Sequence, residues 1–189
     1  MALELLSALA SLGTFVVITA TAIAAVLQLR QQRAANKISY IQSFYSGFEG
    51  AELRPAFDFV RNELGERLKH PKFRGELRPS GVAVRAEHPE ITVLNFFDLW
   101  GLYYRDGVVD RDSFMRVFGG VVLGFWGRLE PVIALISDAH GNTVCQDFEY
   151  LAVEARKWMA HHPNGDYAHG APRIPLPNIN ELFGDDIGG

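Results

Sequence analysis

Cysteine is almost absent from this sequence, which has Cys145 alone among its 189 residues. A single cysteine excludes an intrachain disulfide, so the fold must be held by packing, and this suits a reducing compartment. Positive charge is not in excess either: the formal net charge is −4, and the stretch from Arg30 to His162 is balanced. A nucleic-acid surface usually needs a strong positive excess, so no nucleic-acid partner is predicted.

Signatures of chemistry are also lacking. The sequence contains no phosphate-binding glycine loop, dinucleotide fingerprint, nucleophile elbow, paired-histidine zinc helix or calcium loop. His161 and His162 are adjacent and would point about 100° apart on a helix, which does not favour one shared metal ion. We therefore predict no cofactor, no metal site, no small-molecule ligand and no enzymatic activity.

A long hydrophobic run is present at the N-terminus, where no charged residue occurs from Leu5 to Leu29. As a helix this run would be about 37 Å long, enough to cross a hydrocarbon core of about 30 Å. A cleaved signal peptide is the alternative, but that needs a positive start, and Met1–Glu4 is acidic. Residues 1–29 are predicted to be a transmembrane anchor.

Positive residues cluster directly after the run, at Arg30, Arg33 and Lys37, and none precedes it. Positive residues stay on the cytoplasmic side, so we predict a single-pass inner-membrane protein with its N-terminus outside and the rest in the cytoplasm. The same three cations are predicted to contact lipid headgroups. Residues 30–50 continue as a helix with an apolar stripe, interpreted as docking on the protein's own domain, with a dimer stalk as the alternative.

Residues 51–162 are predicted to form a helical bundle. Pro89 suits a helix start, Gly107 a helix end and Asp110 the N-cap of the next helix, while Pro131 indicates a start or kink. A last helix is predicted from about residue 143 to 161, and punctuated residues from 68 to 88 are predicted to be a loop. Residues 163–189 are predicted to be a flexible Pro/Gly-rich tail, which either lies along the domain or provides a short partner-binding motif. The predicted fold class is therefore all-α: a transmembrane helix, a compact bundle and an irregular tail.

Three polar residues are predicted to form a buried network. Asn95 and Asp98 lie one turn apart on the most hydrophobic helix, where an ionised carboxylate is costly unless it is paired. Arg128 or Arg105 is the expected partner. A structural role is favoured over a catalytic acid, because buried networks perturb carboxylates without doing chemistry.

Cys145 is the sharpest candidate nucleophile. It is predicted to lie in the first turn of the last helix, where the helix dipole favours the thiolate. Against this, lone cysteines are often small buried hydrophobes, and no third orienting residue is apparent. Glu130, next to Pro131, is predicted to sit in a helix first turn rather than to act as a base.

Four segments resemble a family of small bacterial proteins known only as a domain of unknown function. They are Leu94-Asn95-Phe96-Phe97-Asp98, Gly107-Val108-Val109-Asp110, Phe125-Trp126-Gly127-Arg128-Leu129 with Pro131, and Phe148-Glu149-Tyr150-Leu151. The resemblance covers the chain to about His162. It implies an N-terminal membrane helix, a short basic stretch and a helical domain, and it lends no activity, substrate or catalytic residue.

The leading functional hypothesis is therefore a membrane-anchored interaction or scaffold module that binds another protein or itself. One alternative is a membrane-proximal enzyme that uses Asp98, Glu130 or Cys145. A second is a small membrane sensor, in which Ser7, Ser11 and the helix after Arg30 transmit a dimer rearrangement.

Overall fold

The computed structural model describes residues 2–78, 87–140, 144–167 and 170–175. Within these ranges the chain forms helices and no strand, which confirms the predicted all-α class. The helices are α1 (Ala2–Glu49), α2 (Arg54–Asn62), α3 (Leu64–Arg67), α4 (Pro71–Glu76), α5 (Pro89–Arg105), α6 (Arg111–His140) and α7 (Gln146–His161).

Helix α1 is one continuous helix of 48 residues, with no break where the predicted anchor ends. Its side chains are exposed from residue 13 to 32 and from 35 to 39, including Phe15 at 68% and Ile18 at 62%. By length and composition α1 could cross a membrane, and no part of its most apolar stretch is buried. Helix α6 is also long and apolar enough to cross a membrane, but 33% of its most apolar stretch is buried, as is typical of the core helix of a bundle.

The last turns of α1 enter the core of the bundle. Phe44 is fully buried and its ring lies 5.0 Å from Trp100, 5.2 Å from Phe114 and 4.1 Å from Phe118. One turn later, Phe48 lies 4.7 Å from Phe57 of α2. The core therefore begins before residue 51, and the exposed part of α1 is a direct continuation of a core helix.

Helix α5 is central because it packs against α7, α2 and α6. Phe97 of α5 is fully buried between Phe148 of α7, stacked at 4.8 Å, and Phe125 of α6 at 5.3 Å. Such ring pairs contribute about 0.5–1.5 kcal/mol each beyond their buried area. An aromatic layer therefore joins α1, α5, α6 and α7.

Two details of the predicted organisation are wrong. Residues 71–76 of the predicted loop form α4, because Pro71 starts a helix and Phe73 provides it with a buried anchor. Pro131 lies inside α6, so the start is wrong among the two predicted alternatives, a start or a kink. Glu130, predicted in a helix first turn, also lies inside α6. Leu129 and Val132 are fully buried on either side of the proline, and this packing carries the helix across it.

The described part of the C-terminal segment, residues 163–167 and 170–175, is irregular. Asp166 pairs with Arg116 of α6 at 2.5 Å, and the guanidinium of Arg173 donates to the carbonyl of Asn164 at 2.9 Å. Part of the predicted tail thus lies along the bundle. Residues 176–189 fall outside the described ranges.

Candidate functional site

The polar contacts between α1 and the rest of the bundle concentrate at the turn that joins α5 to α6. The Lys37 ammonium lies 2.7 Å from Asp110 Oδ2, and the Asp110 backbone N–H donates to the Tyr40 hydroxyl at 2.7 Å. Asp110 Oδ1 also accepts the N–H of Ser113 at 3.0 Å, which confirms the predicted N-cap of α6. We call residues 37–40 together with residues 106–110 the junction.

Electrostatics favour the charged forms at the junction. The hydrogen bond from Lys37, followed by that from Ser113, lowers the pKa of Asp110 to about 2. The same contact raises the pKa of Lys37 above 10.5. The pair is therefore ionised across the physiological pH range.

An open groove of about 430 Å³ runs beside the junction, between α1 and α5. Its walls combine hydroxyl and amide groups from α1 with aromatic rings from α5. The lining residues are Asn36, Ser39, Tyr40, Ser43, Trp100, Tyr103, Val108 and Val109. This mixture of apolar rings and uncharged polar groups suits a contact at the edge of a membrane or a protein partner.

Of the three cations predicted to contact lipid, Lys37 has a second role. Its side chain is half-exposed and pairs with Asp110. Arg30 is exposed on α1, and the side chain of Arg33 falls outside the described residues. Lipid contact by Arg30, Arg33 and Lys37 stays a prediction. The ion pair between Lys37 and Asp110 also connects α1 to the bundle.

The predicted buried network of Asn95, Asp98 and Arg128 is wrong as a buried set. Asn95 and Arg128 are exposed, because each lies on the solvent side of its helix. Arg128 donates to the carbonyl of Gly124 at 2.7 Å, one turn earlier in α6. Only Asp98 is partly buried, and it bonds to backbone groups rather than to an arginine.

Asp98 caps α7 from the neighbouring helix. Its Oδ1 accepts the backbone N–H groups of Asp147 at 3.1 Å and Phe148 at 3.0 Å. These N–H groups lie in the first turn of α7 and have no partner within their own helix. Arg105, the other predicted partner of Asp98, pairs instead with Asp147 and Asp106. A carboxylate at a helix N-terminus is also favoured by the helix dipole.

Cys145 does not have the expected activated thiol. It is the N-cap residue of α7 with a left-handed backbone (φ 55°), and it is half-buried. Burial, followed by the nearby charge of Asp98, raises the pKa of the thiol to about 11. The prediction that the helix dipole favours its thiolate is therefore wrong, because desolvation and a carboxylate act against it. Glu130 is exposed on α6.

The histidines at the end of α7 bond to their own helix. His161 Nδ1 lies 2.7 Å from the carbonyl of Lys157, and His162 Nδ1 lies 2.8 Å from that of Trp158. Among the described residues, no group of three or more histidine, cysteine, aspartate or glutamate side chains is arranged to hold a metal ion.

A buried polar pair that the sequence reasoning missed lies at the start of α5. His88 and Glu90 are 1% and 0% exposed, and His88 Nδ1 lies 2.7 Å from Glu90 Oε1. His88 Nε2 is 3.3 Å from Glu76 Oε2 without hydrogen-bond geometry, and Glu90 Oε2 has no hydrogen-bond partner. Burial raises the pKa of Glu90. The available signal was Glu90 itself, an acidic residue at the start of the predominantly apolar helix α5.

A family profile described as a domain of unknown function (DUF4760) matches residues 15–158. The match begins inside the apolar part of α1 and ends three residues before the end of α7. No curated protein and no solved structure matches the chain. Because the profile covers most of the chain, including the junction and nearly all of the bundle, this chain belongs to the family of the domain of unknown function DUF4760.

Proposed function

We propose that this protein is a membrane-anchored helical interaction module. Helix α1 crosses the inner membrane with its N-terminus outside, and the bundle lies in the cytoplasm, where it binds another protein or a second copy of itself. A lipid bilayer, rather than a substrate, accounts for the long exposed apolar surface of α1.

The observation that supports this proposal is the difference in side-chain exposure between the two ends of α1. From Phe15 to Leu29 its large apolar side chains are at least 51% exposed, whereas Phe44 is fully buried in the bundle. Each large side chain left in water forfeits about 1.5–3 kcal/mol of transfer free energy. A helix that exposes such side chains on several successive turns requires an apolar environment, and a membrane provides one.

A surface for a protein partner lies at the other end of α6. An open apolar depression of about 470 Å³ is lined by Leu68, Pro131, Ala134 and Leu135, with Arg74 and Asp138 at its edge. An apolar surface with polar groups at its rim is the pattern that large interaction sites show. This depression supports the interaction hypothesis, because the cytoplasm reaches it while α1 is held in the membrane.

The test is protease accessibility of a C-terminal tag in spheroplasts and in lysed, alkali-washed membranes. We expect the tag to stay with the washed membranes and to be cut only after lysis. A tag that is cut in intact spheroplasts would reverse the orientation, and release into the soluble fraction would refute the anchor. Partner binding is tested by crosslinking in cells: Ala134→Arg should abolish the crosslinked species and Asn95→Arg, at an exposed site on α5, should not.

The continuity of α1 favours a second candidate, a membrane sensor. A helix without a break between residues 2 and 49 couples motion in the membrane to the aromatic core directly. Crosslinking that finds only monomers would refute a dimer rearrangement. The enzyme alternative gains no such support: Asp98 caps α7, Glu130 is exposed and the thiol of Cys145 is protonated at neutral pH. If Cys145→Ala, Asp98→Asn or Glu130→Gln removed the cellular effect from a folded protein, the interaction proposal would weaken.

A further inference from the structure

We propose that the turn between α5 and α6 rests in the headgroup layer of the same leaflet from which α1 emerges, with Val108 at its tip. The partner is the phospholipid of that leaflet, so the bundle is docked on the membrane rather than suspended below it. This inference rests on the proposed function, because it requires α1 to cross the membrane.

The order of contacts along α1 shows which end of the bundle faces the membrane. Going away from the apolar run, Tyr40 bonds to Asp110, Phe44 packs on Phe114 at 5.2 Å, and Phe48 packs on Phe125 at 5.8 Å. Helix α6 therefore descends alongside α1 from Asp110 onwards. The turn before Asp110 is the part of α5 and α6 nearest to the apolar run.

The junction lies within a few ångströms of the headgroup layer, a gap that a tilt of α1 can close. The ion pair with Asp110 fixes the turn at Lys37, eight residues beyond Leu29, which is about 12 Å of helix. The headgroup region of a leaflet occupies about 5–7 Å of this length. Val108 shares its groove with Asn36, which is nearer to the membrane than Lys37. An apolar run longer than the hydrocarbon core is accommodated by tilt, which brings one side of the bundle closer to the headgroups.

The exposed chemistry of the turn suits an interface. Gly107, with φ 71°, forms the tight turn, and it directs Val108 outward at 62% exposure while Val109 is buried at 2%. Tyr103, which is partly buried, lines the groove directly behind this tip, and the buried ring of Trp100 packs against it edge to face at 5.6 Å. Tyrosine is enriched at the headgroup level of membranes because its ring is amphipathic.

Charge at this end is nearly balanced. Arg105 is shared by Asp106 and Asp147, and Arg116 is shared by Asp112 and Asp166. Arg111, by contrast, donates to the neutral carbonyls of Tyr104 and Arg105. Its guanidinium therefore keeps a positive charge at the base of the turn, with the geometry that phosphate groups prefer.

The experiment measures the depth of single fluorescent labels on the full chain. Val108→Cys is made in a Cys145→Ser background, labelled, and reconstituted into nanodiscs of phosphatidylcholine and phosphatidylglycerol that carry a nitroxide on the lipid headgroup. Ala134→Cys is the matched control, because it is exposed on α6 and lies about 36 Å further down the helix. We expect several-fold stronger quenching at position 108 than at position 134, with unchanged helical circular dichroism.

A third label separates this inference from the proposed function. Val17→Cys, in the exposed run, should be quenched by nitroxides on the lipid chains if α1 crosses the membrane. Strong quenching at 17 with equal, weak quenching at 108 and 134 would refute the docked turn and leave the anchor intact. Absence of quenching at 17 would refute both. A disulfide between two Val108→Cys chains, in place of lipid quenching, would assign the tip to a second copy and also refute the inference.

Discussion

At the scale of single residues, Asp98 stabilises the bundle by capping a helix to which it does not belong. One carboxylate oxygen accepts both the Asp147 and the Phe148 N–H groups, which have no carbonyl partner within α7. Loss of a cap costs about 0.5–2 kcal/mol, so Asp98→Ala should lower the free energy of unfolding by that amount. The measurement is urea unfolding in detergent micelles, followed by tryptophan fluorescence.

The control for this prediction is Asn95→Ala, one turn earlier on the same helix. Asn95 is exposed, so its loss should change the free energy of unfolding by less than about 0.5 kcal/mol. Trp100, Trp126 and Trp158 all belong to the bundle, so the fluorescence signal reports the unfolding of the bundle. Equal effects of the two substitutions would contradict the capping role of Asp98.

Glu90 makes the stability of the bundle depend on pH. Burial raises its pKa from 4.5, and the hydrogen bond with His88 only partly opposes this. Below about pH 4.5 the carboxyl is protonated in both the folded and the unfolded chain, and its contribution to stability is fully present. As the pH rises through the raised pKa, the folded chain must ionise a buried group and that contribution is lost.

Glu90→Gln removes this ionisation and should therefore remove its cost. We expect the stability advantage of the wild type over Glu90→Gln to be largest near pH 4 and to shrink as the pH rises to 8, measured by the same urea unfolding. Exposed Glu130→Gln should change the free energy of unfolding by less than about 0.5 kcal/mol throughout. An advantage of the wild type that grows with pH would mean that the pairing with His88 outweighs burial.

At the scale of elements, α5 and α7 approach each other closely at Gly101. A Cβ atom at this position would overlap the backbone carbonyl of Asp147, which cannot move aside as a side chain could. Gly101→Ala should therefore separate the two helices and destabilise the bundle by about 1–3 kcal/mol. Thermal unfolding followed by circular dichroism measures the loss.

Gly120 on α6 is the matched control for this effect. It is exposed and nothing lies within 4 Å of its added Cβ. Because alanine favours a helix over glycine, Gly120→Ala should stabilise the protein by about 0.5–1 kcal/mol. Destabilisation by both substitutions would show that helix contacts other than the Asp147 carbonyl set the outcome.

Elements were predictable where a local pattern determines them. Pro89 marks the start of α5, Gly107 follows its end, and the Asp110 cap marks the start of α6. The predicted bounds of α7 are close to the observed ones. What the sequence could not give is which elements meet. Lys37 and Asp110 were each assigned a separate role, and their ion pair depends on packing between residues 73 positions apart. The network of Asn95, Asp98 and Arg128 failed for the same reason, since helical spacing does not reveal which side of a helix is covered.

At the scale of the whole molecule, α1 combines two surfaces that require different surroundings. Its last turns need the aromatic core, whereas its exposed apolar run makes no contribution to that core. Insertion and folding should therefore be separable. Val17→Arg with Ile23→Arg places two charges in the run, and each costs about 2.5–3.5 kcal/mol at the centre of a membrane helix.

We expect this double variant to leave alkali-washed membranes while the bundle keeps its protease-resistant core. Ile38→Arg is the control: it adds the same charge at a site that is 60% exposed but lies beyond the apolar run, so the protein should stay in the membrane. If the double variant remained membrane-bound, α1 would not be the anchor. A helix surface that only contacts lipid can be altered without loosening the core. If the bundle of the double variant became sensitive to protease, the exposed run would therefore be a structural part of the fold.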